Sequence, residues 1–140
     1  MTIPKKLWAR IVLLISVAAL LGACSQEKTP APTKAQAPPP FIFGVILVGP
    51  YNDHGWSEAH YAAGRYVETK ILNTKMIYVD NVNPGAKPGV TVPQLVDDLV
   101  SKGAKLILTT SDDFKDGTLE AATKHPNVPI VNVSGDHAWK

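Results

Sequence analysis

Between residues 41 and 133, apolar segments alternate with segments of helical periodicity, and this alternation limits the folds that the chain can adopt. Four apolar segments have the composition of buried strands, namely Phe41–Val48, Met76–Val79, Leu106–Thr110 and Val128–Val133. Apolar residues recur at helical spacing between them, over residues 57–71, 91–103 and 117–124. This β-α-β-α-β-α-β order predicts an α/β fold with a parallel, doubly wound sheet and helices on both faces.

Local signals predict where the helices begin and end. Ser57 is the expected N-cap of the first helix. Thr91 and Gln94 have the spacing of a capping box at the start of the second helix, and Gly103 is its expected stop. The third helix is expected to end at His125, because a proline follows.

The N-terminal segment has the features of an export signal. Three basic residues precede an apolar run that extends to Leu21, and Leu21-Gly22-Ala23-Cys24 follows. This ending resembles the bacterial lipobox, in which the signal is cleaved before the cysteine and the thiol carries a lipid. The resemblance implies a signal peptide over residues 1–23, lipidation of Cys24, and an envelope location facing the periplasm or the cell exterior. An ordinary buried thiol is the alternative.

Residues 24–40 form a predicted tether. This segment holds mostly Pro, Ala, Thr, Lys and Gln, and it ends in three consecutive prolines. It contains no aliphatic residue larger than alanine, so it cannot bury enough apolar surface to offset the entropy of ordering. An extended, semi-stiff spacer is the expected state, and a proline-rich docking ligand is the alternative.

The charge balance gives no support to a nucleic-acid partner. The chain has 14 basic and 12 acidic residues, but three of the basic residues lie in the signal, which has no acidic residue. The remainder therefore carries eleven basic and twelve acidic residues. It has no basic patch interleaved with aromatic residues, so nucleic-acid binding has no support.

Three loops are predicted to meet at the carboxyl edge of the sheet, where open α/β sheets bind ligands. They span residues 49–57, 110–117 and 134–139. The first is the richest in functional side chains, because Trp56 can stack on a flat ring and Asp53 can accept hydrogen bonds. The alternative is that Asp53 caps the helix and Trp56 packs into the core.

Other kinds of site have little support in the sequence. The histidines, His54, His60, His125 and His137, lack the spacing of metal ligands, and no second cysteine exists. There is no G-x-S-x-G motif, no G-x-G-x-x-G motif and no P-loop. Asp112 and Asp113 lie together at the ligand edge, where such a pair more often caps a helix than acts as an acid/base pair. We therefore expect no catalytic residue, no metal and no cofactor.

The segment from Gly49 to Arg65 resembles the opening of the basic membrane protein (BMP) family, which comprises substrate-binding lipoproteins of ABC transporters. The family pattern is a strand, Gly-Pro, then Asp-x-Gly-Trp and a histidine four residues later. Further similar segments are Asp80-Asn81-Val82, Leu108-Thr109-Thr110-Ser111 with Asp116 and Thr118-Leu119, and His125-Pro126-Asn127-Val128. The resemblance runs from about Phe43 to Gly135.

The resemblance implies one lobe of a type I periplasmic-binding-protein fold, with the ligand held in a cleft between two lobes. Residues 41–140 would be the N-terminal lobe, and since the chain stops soon after the fourth strand, we expect it to be truncated. The family's ligands are purine bases or nucleosides, and its partner is an ABC permease. The ligand-binding residues implied here are Asn52, Asp53, Trp56, Ser111 and Asp116.

The favoured function is therefore non-catalytic capture of a purine-like solute for an ABC importer. Two alternatives stay open at this point. One is a sensor or interaction lipoprotein of the envelope, and the other is an envelope enzyme built on a flavodoxin-like sheet.

Overall fold

The computed structural model describes residues 37–136, and its compact unit begins at Pro38. The predicted signal peptide, Cys24, most of the predicted tether and residues 137–140 lie outside the described residues. Within the described range, no helix has both the length and the apolar character needed to cross a membrane.

Four parallel strands form a single sheet with the order β2-β1-β3-β4. The strands are β1 (Phe41–Ile46), β2 (Thr74–Val79), β3 (Ala104–Thr109) and β4 (Ile130–Asn132). The helices are α1 (Trp56–Lys70), α2 (Val92–Ser101) and α3 (Lys115–Lys124), and a 3-10 turn (Asp112–Phe114) leads into α3. The predicted α/β fold with a doubly wound parallel sheet is confirmed.

Both faces of the sheet are covered by helices, because the chain changes direction after β2. It moves one way from β1 to β2 through α1, then back across β1 to β3 and on to β4 through α2 and α3. Right-handed crossovers in opposite directions place their helices on opposite faces. Accordingly, Phe43 and Val45 pack on the α1 side with Tyr61 and Val67.

The core on the opposite face is larger and belongs to α2 and α3. Ile46 and Ile107 from the sheet pack there against Val96, Leu99 and Ala121. The central strand β1 thus contributes side chains to both layers. This explains why its sequence is a continuous apolar run and does not alternate with polar residues.

Most helix boundaries follow the local signals. The capping box at Thr91 and Gln94 is present, and Gly103 follows the end of α2 with a φ of 92°. The expected N-cap at Ser57 is wrong, because α1 begins at Trp56 and Gly55 occupies the N-cap position. Ser57 is buried in the first turn, where its Oγ accepts the N–H of Gly49 at 2.9 Å.

The strand boundaries and the start of α3 differ from the predicted ones by one or two residues. The fourth strand begins at Ile130 and not at Val128, because the Val128 N–H donates to the carbonyl of His125 in a turn. The third helix begins at Lys115, ahead of the expected Gly117, since the 3-10 turn runs directly into it.

An apolar groove of about 470 Å³ lies on the α1 side of the sheet, between α1 and β3. Phe41 and Phe43 of β1, Leu106 and Leu108 of β3, and Val67 of α1 contribute to its walls. The groove follows from the topology. Among the described residues, α1 is the helix that covers this face of the sheet, and it leaves part of the face open.

A charged cluster links α2 to the end of α3. The Asp97 carboxylate accepts hydrogen bonds from Lys124 Nζ and, at 2.7 Å, from His125 Nε2. The hydrogen bonds from Lys124 and then His125 hold the pKa of Asp97 below its ordinary value. A carboxyl whose pKa is depressed by folding stabilises the fold above its unfolded pKa of about 4, and this stabilisation disappears as the pH falls through the folded value.

We therefore expect Asp97→Asn to lower the urea midpoint of unfolding at pH 7, with a smaller difference from the unmodified chain below about pH 4. Asp98→Asn is the matched control, because Asp98 pairs with Lys102 at the end of its own helix. Urea unfolding across a pH series measures both variants. An Asp97→Asn effect of the same size at every pH would contradict the prediction.

Candidate functional site

The carboxyl ends of β1 and β3 lie side by side at the point where the strand order reverses. In open α/β sheets this is the position of the ligand crevice. The loops that follow these two strands meet there, because the indole Nε1–H of Trp56 donates to the carbonyl of Thr110 at 2.6 Å. Two segments 54 residues apart in the sequence thus form one surface.

Trp56 is half exposed, with 49% of its surface accessible, so the alternative that it packs into the core is wrong. Its ring lies against the imidazole of His60, with 4.6 Å between the ring centroids and a tilt of 51°. The indole N–H is already used by Thr110. Trp56 can therefore offer a ligand the face of its ring but no hydrogen-bond donor.

Asp53 caps α1, as the alternative interpretation predicted. Its Oδ1 accepts the N–H groups of Gly55 at 2.9 Å and Glu58 at 3.0 Å, and its Oδ2 accepts the N–H of Ser57 at 3.1 Å. The hydrogen bond from the Glu58 N–H is the main reason that the pKa of Asp53 is lowered to about 2, and those from Gly55 and Ser57 add to it.

Capping does not exhaust the capacity of the Asp53 carboxylate. The group is ionised at neutral pH and exposed to solvent, and the three N–H groups use three of the roughly four lone-pair sites of a carboxylate. It can accept an N–H or O–H of a ligand while it holds the helix. Asn52, the preceding residue, is exposed in the same turn.

The loop that carries these residues is tied down at several points. The Tyr51 N–H donates to Asp80 Oδ2 at 3.2 Å, and the carbonyl of Gly49 accepts the N–H of Asn81 at 2.8 Å. His54 adopts a φ of 55°, in the left-handed region. The end of β2 therefore holds the turn that leads into Trp56.

The loop after β3 contributes Ser111 and Asp116 to the same edge of the sheet. Ser111 Oγ accepts the Asp113 N–H at 3.2 Å and so caps the 3-10 turn. Asp116 is exposed in the first turn of α3. Of the expected site residues, Asn52, Asp53 and Ser111 lie in the two loops. Trp56 and Asp116 lie in the first turns of the helices that follow, and the hydrogen bond from Trp56 to Thr110 links the two segments.

Asn132 was missed by the sequence analysis. It ends β4, and its Nδ2 donates to Thr109 Oγ1 at 2.9 Å and to the carbonyl of Ser111 at 2.8 Å. It therefore fixes the start of the loop after β3 from the neighbouring strand. The available signal was an asparagine inside an apolar strand, where β propensity is low.

A recess of about 530 Å³ also escaped the sequence analysis. It lies between the loop after β2 and the start of α3, with Asn83, Lys87 and Asp113 among its polar lining residues. Among residues 37–136, no cluster of three or more His, Cys, Asp or Glu side chains is arranged to hold a metal ion.

The described residues thus form a parallel, doubly wound α/β lobe with an aromatic side chain and carboxylates at its switch point. No protein-family model matches the chain. A purine-binding protein of Brucella abortus (strain 2308) is 31% identical over 93 residues, which cover 66% of this chain and 25% of that protein.

The fold is also similar to a solved structure, an ABC transporter system solute-binding protein from Conexibacter woesei DSM 14684. The TM-score is 0.58 with 17% identity, over 71% of this chain and 31% of that one. The chain thus spans about a quarter of the length of the curated relative. Together the two similarities confirm the resemblance to a substrate-binding lobe of the BMP kind, and the fold of this chain is similar to part of a solved solute-binding protein.

Proposed function

We propose that this chain forms the solute-binding lobe of a lipid-anchored ABC-importer protein that captures a purine base or a nucleoside-like molecule. One observation carries the proposal. Trp56 presents its ring at the switch point of the sheet, with its N–H already satisfied by Thr110. The similarity to a protein named for purine binding agrees with a flat aromatic ligand at that position.

The chemistry of the edge suits a purine. Stacking on Trp56 selects for a flat ring system, because aromatic rings interact favourably in offset-stacked and edge-to-face arrangements. Asp53 and Asp116 are anionic acceptors for ring N–H, amino or ribose hydroxyl groups, and Asn52 and Ser111 supply neutral polar contacts. We propose capture without catalysis, and delivery of the solute to an ABC permease.

Residues 41–140 would supply one wall of the binding cleft. A pocket normally buries most of a small ligand. A single wall makes only a fraction of those contacts, whereas the ligand still loses its full translational and rotational freedom on binding. We expect the chain to bind adenine and adenosine with a Kd of about 1 mM or weaker. Saturation-transfer NMR detects binding in this range.

The comparison solute is ribose, which offers hydroxyl groups but no flat ring. We expect saturation transfer to adenine and adenosine and much less to ribose. Equal transfer to all three would contradict purine capture. Micromolar affinity for adenine would show instead that this wall suffices for tight binding.

The anchoring proposal rests on Cys24 and has its own test. Cys24→Ala should abolish incorporation of a labelled fatty acid and leave an uncleaved or mislocalised precursor, because lipid attachment requires the thiol. Metabolic labelling of the full chain in a bacterial host measures both. Ser25→Ala is the matched control and should label like the unmodified chain. Equal label on Cys24→Ala would contradict lipidation at this residue.

A further inference from the structure

We propose that His60 is the positioning residue for Trp56, and that it holds the indole so that one face stays open to a purine. The ligand part of this inference rests on the proposed function. The positioning part rests on contacts of the protein alone, so the two can be tested separately.

His60 lies one helical turn after Trp56 on α1, and the two side chains are neighbours at i and i+4. The Nδ1 atom of His60 lies 2.7 Å from the backbone carbonyl oxygen of Trp56. A carbonyl oxygen only accepts, so Nδ1 must carry the hydrogen. This bond fixes the orientation of the imidazole ring. The ring in turn lies against the indole, 4.6 Å away between centroids.

A second contact restrains the indole, at the edge of the ring that carries Nε1. Nε1–H donates to the carbonyl of Thr110, and Thr110 is itself fully buried and held by two hydrogen bonds to the carbonyl of Ile46. Rotation of the indole would break the bond to Thr110 and the contact with His60 together. The tilted imidazole of His60 and the carbonyl of Thr110 thus restrain the indole, and its exposed half is the surface available for stacking.

Such preorganisation matters because a ligand that must first order a side chain loses affinity. Without His60, the indole would keep its hydrogen bond to Thr110 but lose the contact with the imidazole ring. The sequence motif already places a histidine four residues after the tryptophan. In this proposal the histidine supports the Trp56 indole and contacts neither the ligand nor a metal.

The first test follows the indole N–H of Trp56 by ¹⁵N NMR in the full chain, purified in a mild detergent. Trp8 and Trp139 also give indole signals, so Trp56→Phe identifies the signal of Trp56. We expect His60→Ala to speed the hydrogen exchange of this N–H several-fold, and His60→Phe, which keeps an aromatic ring, to give an intermediate rate. Tyr66→Ala, which removes an exposed aromatic from the same helix, should leave the rate unchanged.

The second test measures adenine affinity by NMR titration. His60→Ala should weaken it about three- to tenfold, the range expected for the loss of one aromatic contact, and His60→Phe should recover most of the loss. Trp56→Ala combined with His60→Ala should bind no more weakly than Trp56→Ala alone, because His60 acts through Trp56.

Unchanged indole exchange in a folded His60→Ala variant would overturn the proposal. So would affinity losses that add up in the double variant, because His60 would then act without Trp56. If the unmodified chain binds no purine, the proposed function fails, and the exchange rate in His60→Ala alone decides whether His60 positions Trp56.

Discussion

Trp56→Ala should weaken adenine binding by about 1–3 kcal/mol, which is the scale of base stacking on aromatic side chains. The indole is half exposed at the carboxyl edge of the sheet, and its N–H donates to Thr110. Trp56 can therefore contribute to ligand binding through the contact area and the electrostatics of its ring. Alanine removes that ring and leaves the helix intact, because the cap of α1 comes from Asp53.

The measurement is a ligand titration followed by NMR, with far-ultraviolet circular dichroism to confirm that each variant is folded. Trp56→Phe is the conservative variant, and it should lose less affinity because a smaller ring remains for stacking. Tyr66→Ala is the matched control on the same helix and should bind like the unmodified chain. Unchanged adenine affinity in folded Trp56→Ala would remove Trp56 from the site.

Leu99→Ala should destabilise the fold by about 2–5 kcal/mol, the range for truncating a fully buried leucine. Leu99 is 1% exposed, and it packs from α2 onto the sheet at Gly44 and Ile107. A side-chain carbon at Gly44 would lie 3.0 Å from Leu99 Cδ1. The leucine therefore rests directly on the backbone of β1, which has no side chain there to fill the cavity.

Urea unfolding measures this effect, and the chain offers close controls. Leu119→Ala truncates a leucine that is 56% exposed, so a change within about 0.5 kcal/mol is expected. Leu99→Met conserves volume and should cost less than about 1.5 kcal/mol. Adding Gly44→Ala to Leu99→Ala should recover part of the loss, whereas Gly44→Ala alone should destabilise. A Leu99→Ala chain as stable as Leu119→Ala would contradict this description of the core.

The groove between α1 and β3 ends near the site. His60 and Thr110, which hold the two sides of the Trp56 indole, are also among the residues that line the groove. The apolar face of the sheet and the ligand edge are thus continuous through these two residues. A substitution in this part of the groove, such as His60→Ala, therefore also changes the support of Trp56.

The sequence by itself determined the elements whose causes are local. The capping box at Thr91 forms between residues three apart, Gly103 ends α2 through its own φ, and the apolar run of β1 requires burial on both faces. These features depend on hydrogen bonds and conformations within one helical turn, or on composition within one strand. The alternation of such elements was enough to specify a doubly wound parallel sheet.

Only the tertiary structure decided the state of the site. Trp56 is half exposed, and its N–H donates to a carbonyl 54 residues away. No local pattern specifies that partner. Ser57 became a buried acceptor for Gly49 since Asp53 took over the capping of α1. Asn132 bonds to the loop after β3 because β4 pairs with β3, and this pairing depends on strand order. The contacts of Trp56 and Asn132 join segments that approach one another only when the strands assemble, so they depend on the packing of the whole sheet. Those of Ser57 are local, but the sequence did not decide which side chain would cap α1.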